Sequence, residues 1–286
     1  MGLRYEGLSS DRHILDSLEY AKSLEGSSRI YRLVAHYCLH GEVLRPRSRS
    51  DLRCYTLPAK SGSYEALLVI LTAAAHEIPA FSDVYKSALD WLISKLVGFI
   101  KDKLSGQGDV NELVEVIKLQ AEKNSELNTI LANGLIKSNE RHADLSERLL
   151  DTLPSLIAAA QSGMRKAVAP VGSSCSTMTQ FHDLPEPVSV SEPEAMAIRS
   201  QEELVVGKPG PFIVNRIHSL SLDTGACTIE IEGFEGLVNG KVDDIGLKQP
   251  GNPYSRALDA HSPLRVRGRP VFKQDQLHKL FITESE

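Results

Sequence analysis

The chain has few cysteines and no arrangement of them that suggests a bridge or a metal. Cys38, Cys54, Cys175 and Cys227 lie far apart, with no C-x-x-C spacing. A disulfide framework and a four-thiolate zinc site are therefore not expected, and scattered free thiols point to a reducing cytoplasm. Positive charge is not in excess. The net charge is −5 and the isoelectric point is near 6.0, which argues against a protein that coats DNA and leaves only local basic patches. No stretch supplies the ~18 uninterrupted apolar residues that span a bilayer, and Met1–Glu6 has no apolar core of a secretory signal.

The signatures of common enzymes are missing as well. There is no G-x-x-x-x-G-K-[ST] loop, no G-x-G-x-x-G after a strand, no G-x-S-x-G elbow and no H-E-x-x-H helix. His36, Cys38 and His40 form H-x-C-x-H. On a helix the two histidines share a face and the cysteine points elsewhere, so the trio reads as structural. Asp11 and His13 near Glu6 lack a nucleophile at a recognisable spacing. No catalytic residue, metal site or cofactor is assigned, and a non-enzymatic role is expected.

What is present is a three-part pattern of α+β class. Residues 1–104 read as a βαββ-like head ending in an apolar helix. Leu3–Leu8 reads as an edge strand, and Ser9-Ser10-Asp11 as capping residues for a helix that runs to a stop at His40-Gly41, with a bend or split at Gly26-Ser27-Ser28. Asp51–Pro58 and Gly62–Leu71 read as strands joined by Ala59–Gly62, while Glu65–Ala75, ending in Ala73-Ala74-Ala75, reads equally as a helix. Ser82–Leu104 reads as a helix whose apolar residues cover all but one narrow face, so it must be buried on more than one side.

Residues 105–170 read as a helical oligomerisation region, whose apolar stripes must dock on each other, on the head or on copies of the chain. Asp109 can cap the first. Leu113, Ile117, Gln120, Asn124, Leu127 and Leu131 follow at alternating four- and three-residue steps, the spacing of a coiled-coil seam. A second stripe runs through His142, Leu145, Leu149, Leu153, Leu156 and Ala160, with Pro154 either kinking that helix or starting a new one. Residues 171–203, with Pro185, Pro187 and Pro193 among Ser, Glu and Thr, read as an extended linker.

Residues 204–286 read as a small closed or partly closed β-barrel. Its strand-like runs are Phe212–Leu222, Cys227–Ile231, Gly236–Ile245, Leu264–Phe272 and Leu277–Thr283, with a hairpin at Asp223-Thr224-Gly225.

Two arginine groups are candidates for holding phosphate or nucleic acid. Arg45, Arg47, Arg49 and Arg53 sit in a Ser-rich segment broken by Pro46. Arg265, Arg267 and Arg269 fall on one face of a strand if the period is two. Phe272 and Tyr254 are the aromatic residues nearest the second group in sequence.

The runs R-Y-E-G at Arg4–Gly7, D-R-H at Asp11–His13, P-A-K-S-G-S-Y-E at Pro58–Glu65 and N-P-Y-S-R-A-L at Asn252–Leu258 resemble a family of uncharacterised bacterial proteins. The resemblance touches head and tail. It implies no activity and no site residues, and it suggests accessory genes of variable loci, with an anti-phage role among the options. The leading expectation is thus a cytoplasmic, self-associating scaffold, sensor or regulator, with a protein partner besides its own copies. Beside it stand a nucleic-acid-binding protein that uses the tail arginines and, against the charge pattern of Ser82–Leu104, a membrane-active effector.

Overall fold

The computed structural model describes residues 2–44, 52–57, 65–72, 83–132, 145–181 and 183–286. The chain divides into two compact units, Met1–Arg199 and Ser200–Glu286. The class is the mixed one expected, with a small closed barrel at the C-terminal end.

The first unit is built on a five-stranded sheet. Strands β1 (Gly2–Glu6), β2 (Leu52–Leu57), β3 (Glu65–Thr72), β4 (Thr177–Gln180) and β5 (Val188–Ser191) stand in the order β2-β3-β1-β4-β5, and every pairing is antiparallel. Helix α1 (Ser17–His40) follows β1 and packs on β2. Asp16 caps α1: its carboxylate accepts from the Leu18 and Glu19 amides at 3.0 and 2.9 Å. Ser9, Ser10 and Asp11, read from sequence as the caps, instead form a 3-10 turn over Leu8–Arg12. Gly41, at φ 67°, ends α1 where expected.

Two expectations about this unit are corrected. The strand β1 is central, not an edge, because β4 pairs along its other side. The supposed linker supplies that partner. Residues 171–203 hold β4, β5 and helix α6 (Glu192–Arg199), all inside the first unit. The prolines do not prevent this. Pro187 sits just before β5, and Pro193 occupies the first turn of α6, where a missing N–H costs no helical bond. Ser191 and Glu194 form the start signal that composition concealed: the Glu194 carboxylate accepts from the Ser191 amide at 2.8 Å and from its hydroxyl at 2.7 Å.

The central helices are also part of this unit. They are α2 (Asp83–Leu104), α3 (Val110–Lys123), α4 (Ser125–Ile130) and α5 (Leu145–Ala167). The seam expected for a coiled coil is not one continuous stripe. Asn124, in extended conformation, ends α3 and caps α4 by accepting from the Leu127 amide at 2.8 Å. Leu113, Ile117, Leu127 and Leu131 are buried in the chain's own core, and Gln120 is half-exposed. The same core takes Leu149, Leu153, Leu156 and Ala160 of α5, which runs through Pro154 as a single helix, and Leu92, Ile93, Leu96, Val97 and Ile100 of α2. Short amphipathic helices need a neighbour; here the neighbours belong to the same chain.

The crossing of α1 and α5 explains Gly26. A methyl group there would stand 2.3 Å from the Ala167 nitrogen and 2.5 Å from the Gly163 carbonyl oxygen. The glycine is needed for close approach of two backbones, and α1 passes through Gly26-Ser27-Ser28 unbroken. Ser23 seals the same contact by donating to the Ala167 carbonyl at 2.5 Å.

The second unit contains β6 (Leu204–Val206), β7 (Gly210–Leu220), β8 (Ala226–Ile231), β9 (Val238–Val242), helix α7 (Pro253–Ala260), β10 (Leu264–Lys273) and β11 (Gln276–Ser285). The order β11-β9-β8-β7-β10, closed by β10–β11 pairing, makes a five-stranded barrel, and β6 adds to β10 as a short sixth strand. Only β9 and β11 run parallel. Val214, Ile217, Ile229, Ile231, Val238, Val242, Val266, Leu280 and Ile282 fill the interior, which is the period-two pattern of a barrel whose outer face is polar. Gly225, at φ 72°, turns the chain between β7 and β8 as the Asp-Thr-Gly run indicated. Tyr254 of α7 is fully buried, and its hydroxyl donates to the Asp244 carboxylate at 2.6 Å.

Candidate functional site

Strand β10 alternates as the period-two reading requires. Val266 is buried in the barrel, while Arg265 and Arg267 are exposed and Arg269 is half-buried. The three arginines share the outer side but not one environment. The Arg267 Nε lies 3.9 Å from a Glu284 oxygen, with both side chains more than half exposed; so loose a surface pair contributes little and leaves the guanidinium open to another anion. Arg269 is already engaged with neighbouring groups.

Arg265 opens onto a pocket of about 440 Å³. Phe212 and Ile213 of β7 and Glu232 and Phe234 of the β8–β9 connection line it, together with Pro211 and Glu286. Backbone bonding fixes the arrangement. Arg265 pairs with Ile213 and Val266 with Phe212 across β7 and β10. The Glu232 amide donates to the Ile213 carbonyl at 2.9 Å, and the Glu286 amide to the Arg265 carbonyl at 3.0 Å. Phe212 rests on the barrel core, and Phe234 is 36% exposed. Among the described residues Arg265 makes no ion pair, although two carboxylates share its pocket.

A second groove, of about 510 Å³, crosses the barrel elsewhere. Strand register lines up Ser219, Thr228, Asn239 and Lys279 across β7, β8, β9 and β11. The Lys279 ammonium lies 4.6 Å from the Phe281 ring centre. No carboxylate is among the residues that line this groove, and no aromatic ring is either.

The other sequence candidates are not gathered into a site. Arg45, Arg47 and Arg49 lie outside the described residues, and Arg53 is exposed on β2. The His36 and His40 rings are 4.4 Å apart on α1, while Cys38 is buried. Among the described residues no three His, Cys, Asp or Glu side chains come together as metal ligands. Burial pushes the Cys175 thiol up to about 12, the Cys227 thiol up to about 11 and the Cys38 thiol higher still. These thiols stay protonated at neutral pH and are poor nucleophiles there. The first unit carries a cleft of about 300 Å³ rich in carboxylates, among them Asp102, Asp109 and Glu112. Three of its carboxylates are already in use: Asp109 caps α3, Glu186 pairs with Lys95, and Asp102 pairs with Lys101 at 2.7 Å.

Phe212 and Phe234 were not singled out from sequence. The two aromatics nearest the arginines in sequence are the wrong ones: Tyr254 is inside the barrel and Phe272 is half-buried. Phe212 lies more than fifty positions from Arg265, and only the β7–β10 register brings them together. A sequence sign was present in Glu232-Gly233-Phe234-Glu235-Gly236, an aromatic held in a short connection between two predicted strands.

Residues 1–199 match a family described as a domain of unknown function (DUF7946), and residues 213–286 match a family of unknown function (DUF7947). No curated protein matches the chain, and no solved structure does.

Proposed function

This chain belongs to the DUF7946 family, whose function is unknown, and from the geometry of its barrel we propose that it binds single-stranded nucleic acid. The observation that carries the reading is the exposed pair Arg265 and Arg267 running into a pocket walled by Phe212 and Phe234. Two cations two residues apart on a strand stand roughly 6.6 Å apart along it, a spacing suited to neighbouring phosphates of an extended strand. Aromatic side chains stack unpaired bases, an interaction of about 1–3 kcal/mol per base. A base inside a duplex cannot enter a pocket, so the single strand is the better ligand.

The connectivity supports the same class of partner. A closed barrel of five strands with β9 and β11 parallel and a helix between β9 and β10 has the topology of barrels that hold oligonucleotides and oligosaccharides. That likeness is one of fold and assigns no ligand by itself. The overall negative charge confines the interaction to a local patch. A self-associating scaffold draws no support from the central helices, whose apolar stripes are buried within one chain. For the membrane-active reading, no helix among the described residues is long and apolar enough to cross a bilayer.

Fluorescence anisotropy of the full chain with a short labelled oligothymidylate tests the proposal. Replacing Arg265 and Arg267 together with Ala should weaken binding on the order of tenfold. It should also flatten the dependence on salt by about 1.4 in log–log slope, two contacts at ~0.7 each. Asn239→Ala, in the second groove, should leave the affinity unchanged. Absence of binding at low ionic strength contradicts the reading, as does equal binding by the double-arginine variant.

A further inference from the structure

We infer that the pocket beside Arg265 reads a guanine base. This rests on the nucleic-acid reading for its setting but stands on separate residues and has a separate test. The pocket offers two kinds of polar group on an aromatic frame. Glu232 offers carboxylate oxygens, which accept hydrogen bonds, and Arg265 offers a guanidinium, which donates them. They share one cavity of about 440 Å³ without forming an ion pair with each other. A ligand that satisfies both must present donors on one side and acceptors on the other, and it must be flat enough to lie against Phe212 and Phe234.

Among the nucleobases only guanine answers that description along a single continuous edge. Its N1–H and N2–H groups are adjacent donors, matched to the two oxygens of one carboxylate. Its O6 and N7 are adjacent acceptors, matched to the fork of one arginine. Adenine and cytosine place one donor beside an acceptor on the pairing edge. Uracil and thymine place one donor between two acceptors. Each would leave a lone pair of Glu232 facing another acceptor, a repulsive contact that costs more than a missing one. The volume suits one base: too small for a duplex end, and within the low range of small-ligand sites. Glu286 contributes a second carboxylate to the same lining, which raises the penalty for ligands that bring acceptors alone.

The base has two sources, a free guanine mononucleotide or one residue of a strand, and the experiment separates them. Calorimetric titration of the full chain with GMP, IMP and AMP asks whether the pocket works alone. Anisotropy with oligothymidylates carrying one central guanine, hypoxanthine or adenine asks whether it works within a strand. The expected result is a preference for guanine over adenine on the order of tenfold or more, with hypoxanthine, which lacks the N2 amino group, in between. Glu232→Gln should bring the guanine-to-adenine ratio towards one, and its melting temperature reports whether the barrel is intact. Phe234→Leu should weaken binding of all three without changing their order. GMP binding with no binding of plain oligothymidylate would sustain the pocket and remove the strand. Strand binding with no preference for guanine, or a preference that survives Glu232→Gln in a folded variant, would overturn the pocket and leave the strand.

Discussion

Individual residues explain where the sequence was readable and where it was not. Local caps and turns were legible when they used their own neighbourhood: Asp109 before α3, Gly41 after α1, Gly225 in the β7–β8 turn. Asp16 and the Ser191–Glu194 pair are equally local and carry the same chemistry, but other polar residues nearby masked them. The burial of a given thiol could not be read at all, because it depends on strands that arrive from elsewhere. Cys227 shows the consequence. It points into the barrel, and burial pushes its ionisation from 9.0 to about 11. Below pH 9 it is protonated both folded and unfolded. Between about 9 and about 11 the unfolded chain loses the proton first, so the stability of the folded barrel falls as pH rises through that window. The loss from this one group reaches about 2 kcal/mol at the top of the window. Cys227→Ala should therefore show a shallower alkaline decline than the wild type in urea unfolding at pH 8 and pH 10.5. Equal declines would show that the thiol is not held protonated by the fold.

At the scale of elements, the strands of the barrel were legible almost one for one, because each has a period-two pattern and a turn on either side. The central helices were legible as helices but not in their packing. The stripe through Leu113, Ile117, Leu127 and Leu131 has the same appearance whether it faces a second copy or the rest of its own chain, since periodicity fixes the buried face and not the neighbour. Gly26 was misread for a related reason: a glycine in a helix marks either a break or a close approach, and the difference lies in what stands opposite. The structure puts the α5 backbone there. Gly26→Ala separates the two explanations. In an isolated helix the change is favourable by about 0.8–1.0 kcal/mol. Here the added methyl meets backbone atoms that cannot move without parting α1 from α5, an overpacking of about 3 kcal/mol or more. The net expectation is a loss of roughly 2 kcal/mol, read as a lower melting temperature. A variant more stable than the wild type would remove the close-packing account.

For the whole molecule, composition indicated the correct class and the correct C-terminal barrel, and it misplaced the boundary. Proline, serine and glutamate between residues 171 and 203 resembled a join, yet that stretch completes the first unit's sheet and ends in α6. What composition cannot convey is that β1 needs a partner on its second side. The same gap limited the functional reading. The arginine row on β10 was foreseen, but the aromatic pocket that gives it a ligand class comes from four separate segments of the chain. Ultraviolet cross-linking of the full chain to a short single-stranded oligonucleotide, mapped by mass spectrometry, tests that assignment most directly. The account predicts cross-links at Phe212 or Phe234, lost when Arg265 and Arg267 are both replaced with Ala. Cross-links confined to the Thr228–Asn239 groove or to residues 2–199, or none at all, would contradict it.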